Sequence, residues 1–156
     1  MPKISPFLWF DHQAEEAANF YVSVFPNSRI VEVTRYGDVG PGPKGSVMAV
    51  AVDLDGQRFN TLNGGPVFKF TEAISFAVDC KDQAEVDLYW DRLSAGGETS
   101  QCGWLKDRYG VSWQIVPRAL LPMLQDPDPV KSQRVMAAML KMTKIDVAKL
   151  EAAYAG

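Results

Sequence analysis

Two stretches of this chain repeat one pattern of apolar and polar positions. Phe7-Leu8-Trp9-Phe10-Asp11 is a short apolar run ending in an acid, and residues 13–21 follow it with apolar positions at helical spacing. Ser75-Phe76-Ala77-Val78-Asp79 repeats the run, and residues 83–90 repeat the helix. Each helix carries an aromatic pair near its end and is followed by a turn and more strand-like sequence. The pattern predicts a strand over 4–11, a helix over 13–24 and strands over 29–36, 46–54 and 57–62. Asp11 is the expected N-cap of the first helix, with Ala14, Ala17, Ala18, Tyr21 and Val24 as its inward stripe. Pro26-Asn27 stops that helix, and Asp55-Gly56 is a hairpin turn.

The second copy predicts a strand over 72–79, a helix over 82–94, a short strand near 97–101, a tight turn at 107–110 and a last strand over 111–116. Two such copies imply two half-sheets enclosing a cleft. The organisation expected is a paired domain over 1–117, with module one at 1–66 and module two at 67–117, then a helical extension over 118–156. In the extension Val135, Met136, Met139 and Leu140 share a stripe, and Thr143 and Asp146 stand at capping-box spacing.

Composition narrows the function classes. With 47% hydrophobic and 22% charged residues the chain is globular, and its net charge of −3 gives no footprint for nucleic-acid phosphates. No apolar run approaches the roughly 20 residues of a membrane span, and no signal region precedes Phe7, so a cytoplasmic location is the default expectation. Cys80 and Cys102 read as reduced thiols rather than a disulfide framework. Of the two, Cys102 is the candidate nucleophile, with Lys106 and Arg108 close in sequence, although a packed thiol explains it as well. The single histidine, His12, rules out a multi-histidine metal site and reads as an exposed residue at a helix start. The Gly-rich run 37–45 is broken by Pro41 and Pro43 and lies between two strands, unlike a nucleotide-binding turn that opens a helix.

Leu8-Trp9-Phe10-Asp11, residues 14–21, Leu62-Asn63-Gly64-Gly65-Pro66, residues 102–107 and Gly110-Val111-Ser112-Trp113-Gln114 together resemble the vicinal-oxygen-chelate superfamily, the glyoxalase and bleomycin-resistance proteins. Within it the chain is most similar to the PhnB-like branch, also labelled demethylubiquinone methyltransferase-like, and the tail too has the look of that branch. The resemblance implies an α+β fold of paired βαβββ modules and a homodimer. It also implies metal ligands on the first and last strand of each module, which project onto Pro6, Ala73, Asn60 and Gln114. Pro and Ala cannot ligate through their side chains, and neutral carboxamides are poor ligands for zinc or a transition metal. The expectation is therefore no metal and no cofactor.

What remains is a small-molecule site with Trp9, Phe76 and Trp104 as its walls and Asn60, Asn63 and Gln114 as its polar groups. The function expected is metal-independent binding of a small molecule. The alternative is a metal-free enzyme of the same fold using Cys102 or a carboxylate; methyl transfer is set aside for want of a methyl-donor motif.

Overall fold

Strand and helix periods sort along the chain into two identical successions. In the computed structural model, which describes residues 3–156, β1 (Phe7–Phe10), α1 (Ala14–Val24), β2 (Arg29–Arg35), β3 (Val47–Leu54) and β4 (Gln57–Asn63) come first. Then β5 (Ser75–Cys80), α2 (Gln83–Ser94), β6 (Glu98–Thr99), β7 (Trp104–Lys106) and β8 (Ser112–Pro117) repeat the order. Residues 1 and 2, the start of the segment read above as lacking a signal sequence, lie outside the described residues. Each βαβββ set forms one four-stranded mixed sheet, ordered β1-β4-β3-β2 and β5-β8-β7-β6. The first and last strands pair in parallel at one edge of each sheet, as a crossover connection between them requires. The fold is α+β with paired βαβββ modules and C-terminal helices. The chain divides into two compact units, Met1–Phe70 and Thr71–Gly156.

In the first unit, strand alternation sends Leu8, Phe10, Val50, Val52 and Phe59 to a buried face. The apolar stripe of α1 is buried as its spacing predicts, at Ala14, Ala17, Ala18, Tyr21 and Val24. Asp55 and Gly56 both take left-handed φ, 47° and 85°, which makes the two-residue hairpin between β3 and β4. In the second unit Leu105, Trp113 and Ile115 are buried with Val86, Trp90 and Leu93 of α2. The buried Asp107 closes the last hairpin: Oδ1 accepts from the amides of Tyr109 and Val111, and Oδ2 accepts from Trp113 Nε1.

The register corrects the sequence echo. Asn60 lies opposite Phe7 and Gln114 opposite Ala77, so Phe7 corresponds to Ala77 rather than to Ser75. The shift is two residues, which leaves every side chain on its expected face and is therefore invisible to a polarity pattern. Two matching bonds fix the correspondence: the amide of Gly64 donates to Phe10 O, and that of Arg118 donates to Cys80 O.

Caps differ from expectation in two places. Asp11 does not cap α1; the amide of Ala14 donates instead to Asn63 Oδ1, brought 2.8 Å away by the end of β4. Asp146 is itself the N-cap of the last helix, accepting from Lys149 N, while Thr143 gives its carbonyl to Gly103. α2 begins on Asp82, which accepts from Glu85 N.

The extension forms α3 (Leu120–Leu124), α4 (Pro129–Met139) and α5 (Val147–Ala155). Its core gathers Leu120, Val135, Met142, Ile145 and Leu150, with Val116 from the end of β8 packed against it. Val135 and Met139 face this core, whereas Met136 and Leu140 are 41% and 59% exposed, so the expected stripe splits. Among the described residues no helix is long and apolar enough to cross a membrane.

Candidate functional site

Strand parity divides the six candidate binding residues into two groups. In the first unit Trp9 and Asn60 share the face of the sheet opposite α1, because Trp9 is two residues from Phe7, the ladder partner of Asn60. Asn63 is three residues from Asn60 and points to the other face. Its carboxamide is spent there: Oδ1 accepts from Ala14 N and Nδ2 donates to Val47 O, while its carbonyl accepts from Tyr36 OH at 2.8 Å. Asn63 pins helix, hairpin and loop together.

The second unit divides the same way. Trp104 and Gln114 are direct ladder partners on one face. Phe76 pairs across the ladder with Trp113, its ring 5.5 Å from the indole, on the face that α2 covers. The structure thus keeps one Trp and one carboxamide together in each unit, Trp9 with Asn60 and Trp104 with Gln114. Asn63 and Phe76 lie on the opposite faces of their sheets.

Each of the two carboxamides has a serine partner. Asn60 Nδ2 donates to Ser5 Oγ and Gln114 Nε2 donates to Ser75 Oγ, both at 2.9 Å. Ser5 and Ser75 stand two residues before Phe7 and Ala77, so the two couples occupy equivalent places. The first-strand positions beside the carboxamides are therefore Ser5 and Ser75, not the projected Pro6 and Ala73. Two hydroxyls and two neutral amides do not fit zinc or a transition metal, whose ligands are imidazole, thiolate and carboxylate. Among the described residues no group of three or more His, Cys, Asp or Glu is placed to hold a metal.

Trp9 is committed within its own unit. Its Nε1 donates to Gly65 O at 2.9 Å, and its ring meets Phe68 edge-on at 4.9 Å. The ring lies so close to Gly64 that a Cβ there would stand 2.3 Å from it. Gly64 is glycine because an indole covers its backbone.

Trp104 lines an open cavity of about 530 Å³ in the second unit, together with Glu72, Glu98, Cys102, Lys106 and Ser112. Glu98, Lys106 and Ser112 are successive ladder partners across β6, β7 and β8. Lys106 Nζ is ion-paired with Glu72. That hydrogen bond holds the Glu72 carboxyl below, and the Lys106 ammonium above, their ordinary ranges. Ser112 is 1% exposed, and its Oγ has no hydrogen-bond partner among the described residues. Sequence reading missed Ser112; its parity with Gln114 was the available signal.

Cys102 sits on the wall of this cavity with left-handed φ of 58°, followed by Gly103 at 84°. The extension holds this bend: Cys102 N donates to Met142 O and Gly103 N to Thr143 O, both at 2.8 Å. A Cβ on Gly103 would meet Ile115 O at 2.8 Å and Ile145 Cγ1 at 3.1 Å. The cations near Cys102 in sequence are engaged elsewhere, Lys106 with Glu72 and Arg108 with Ala95 O. Cys80 is buried, and burial pushes its thiol up to about 12, with Glu85 and Asp79 adding to the effect. A second open cavity, about 600 Å³, lies in the first unit beside Tyr36, His12 and Asn63.

Two paired βαβββ sheets place the chain in the vicinal-oxygen-chelate superfamily, with the glyoxalase and bleomycin-resistance fold. The model of the 3-demethylubiquinone-9 3-methyltransferase family matches residues 2–116, and the chain belongs to that family. A PhnB protein from Bacillus cereus is 38% identical, with 74% of this chain covering 99% of that one at a TM-score of 0.69. A Pseudomonas aeruginosa protein shares the fold at 18% identity, TM-score 0.64, with 75% and 98% of the two chains covered. So does the fosfomycin resistance protein FosX of Listeria monocytogenes, solved with Mn(II) and sulfate, at 16% identity and TM-score 0.55, with 80% and 98% covered. No curated protein matches the chain. The family match ends within the last strand, before the helical extension begins.

Proposed function

We propose that the protein is a metal-independent small-molecule-binding protein, its ligand held on the second unit's sheet face that carries Trp104 with Gln114, with Trp9 and Asn60 holding the equivalent place in the first unit. One observation carries this reading: at equivalent places in both units a carboxamide is hydrogen-bonded to a serine hydroxyl, Asn60 to Ser5 and Gln114 to Ser75. Such couples keep spare donors and acceptors for a ligand's polar groups and offer nothing for which a transition metal would compete. The open cavity beside Trp104 supplies an apolar wall in the usual size range of such sites. Saturable binding of an aromatic or amphipathic compound, found by screening and measured by calorimetry, is expected to fail in Trp104→Ala and to weaken in Gln114→Ala. Binding equally strong in both variants would refute the assignment.

The enzyme reading rests on Cys102, a free thiol on the wall of the same cavity. Rapid stoichiometric labelling of Cys102 at neutral pH would favour it; labelling as slow as that of the buried Cys80 would end it. Methyl transfer has less support. The Gly-rich segment joins the antiparallel strands β2 and β3 instead of opening a helix, which is where a doubly wound fold binds its nucleotide. A homodimer, as the resemblance implies, completes the proposal, and native mass spectrometry reads it directly.

A further inference from the structure

Resting on that binding reading, the cavity of the second unit identifies a ligand class. Its floor is the row Glu98–Lys106–Ser112 crossing three strands, with Trp104 two residues along β7 on the same face as Lys106. The charges on this row are occupied. Lys106 is ion-paired with Glu72, and Glu98, its ladder partner, adds a second carboxylate. An anionic ligand would have to displace Glu72 and lie beside Glu98. A cationic one would have to displace the Lys106 ammonium. Neither exchange gains an interaction that the free protein lacks.

Ser112 is the group left wanting a partner. Its hydroxyl can donate one hydrogen bond and accept two, it is 1% exposed, and it lines the cavity without a partner among the described residues. A buried polar group in this state costs stability in the free protein, and that cost is recovered when a ligand supplies the bond. We propose that this cavity binds an uncharged planar ring compound bearing one hydroxyl or carbonyl oxygen, the oxygen hydrogen-bonded to Ser112 Oγ and the ring laid against Trp104. The flat apolar part follows from Trp104, the single oxygen from Ser112, and the absence of charge from the compensated Lys106.

A matched set of naphthalenes tests the class by calorimetry at pH 7 on the full chain: 2-naphthol, naphthalene and 2-naphthoate. For 2-naphthol the expected result is binding that weakens about tenfold in Ser112→Ala, the worth of one neutral hydrogen bond. Naphthalene is expected to bind wild type and Ser112→Ala alike. The thermal midpoint of Ser112→Ala should equal or exceed that of wild type, because an orphaned hydroxyl has been removed; a purely structural serine would lower it. Ser112→Cys, nearly isosteric with a weaker donor, gives the same comparison should the alanine variant not fold. Unchanged 2-naphthol affinity in either folded variant overturns the proposal, as does tightest binding of 2-naphthoate, which would make Lys106 an anion site. If Trp104→Ala abolishes 2-naphthol binding while the Ser112 variants do not change it, small-molecule binding stands and the role of Ser112 falls. If none of the three binds while screened compounds do, the ligand class alone is wrong.

Discussion

The two units share a backbone and part company at the end of the last strand. In the first, the chain turns back: Gly64 N donates to Phe10 O, Trp9 Nε1 donates to Gly65 O, and the indole seals the turn. In the second, Arg118 N makes the equivalent bond to Cys80 O, but Asp79 stands where Trp9 does and pairs with Arg118 at 2.8 Å in an exposed ion pair. Pro117, where the first unit has Asn63, cannot cap a helix with its side chain, so α2 relies on its own Asp82. The same scaffold thus ends in an aromatic-sealed turn in the first unit and runs on into helices in the second, with different side chains at the equivalent corner. The extension then returns to hold the Cys102–Gly103 bend, and so the wall of the second unit's cavity.

Substitutions at that corner should rank by this account. Ile145→Ala, at a 1% exposed position in the extension's core, is expected to cost about 2–5 kcal/mol in chemical denaturation. It should also speed Cys102 labelling, because the bend loses its backing; unaltered labelling would separate extension from cavity. Gly64→Ala should cost about 3 kcal/mol by overpacking the Trp9 ring, and much less when built onto Trp9→Ala. An equal cost in both backgrounds would mean that the indole is not what excludes a side chain. Asn63→Ala, which frees Ala14 N and Val47 O, should cost about 2 kcal/mol, more than Asp82→Ala at about 1 kcal/mol. Asp79→Ala, removing the exposed pair with Arg118, should change stability by less than about 1 kcal/mol.

A pH experiment sharpens the comparison further. Cys80 is protonated in the folded protein up to about 12, whereas the unfolded thiol ionises near 9.0. Between these values the unfolded state binds fewer protons, so stability is full below about pH 9 and falls as pH rises toward 12. Cys80→Ala should remove this part of the alkaline slope, and an identical slope in that variant would show other groups to be responsible.

Much of this architecture is legible in residue pattern alone. Strand alternation and helix spacing locate both βαβββ sets, and Asp55-Gly56 announces its hairpin, because those signals are local. The two-residue register shift is not legible, since it preserves every face. Nor is the capping of α1 by Asn63, whose partner lies 49 positions earlier and is met only once β4 is in place. The separation of Asn63 and Phe76 from the other candidates could have been read from parity, three positions from Asn60 and across the ladder from the buried Trp113. The serine partners Ser5 and Ser75 carry no sequence signal of their own; they become visible when β1 pairs with β4 and β5 with β8.

The Ser5–Asn60 and Ser75–Gln114 couples are each proposed to face a metal-free ligand surface within their own unit. Native mass spectrometry of freshly purified protein, before and after exchange into EDTA, tests this most directly. The account predicts no metal increment in either spectrum and an organic adduct that is retained through EDTA and missing from Trp104→Ala. A stoichiometric metal increment that EDTA removes, and that Asn60→Ala or Gln114→Ala abolishes, would contradict it.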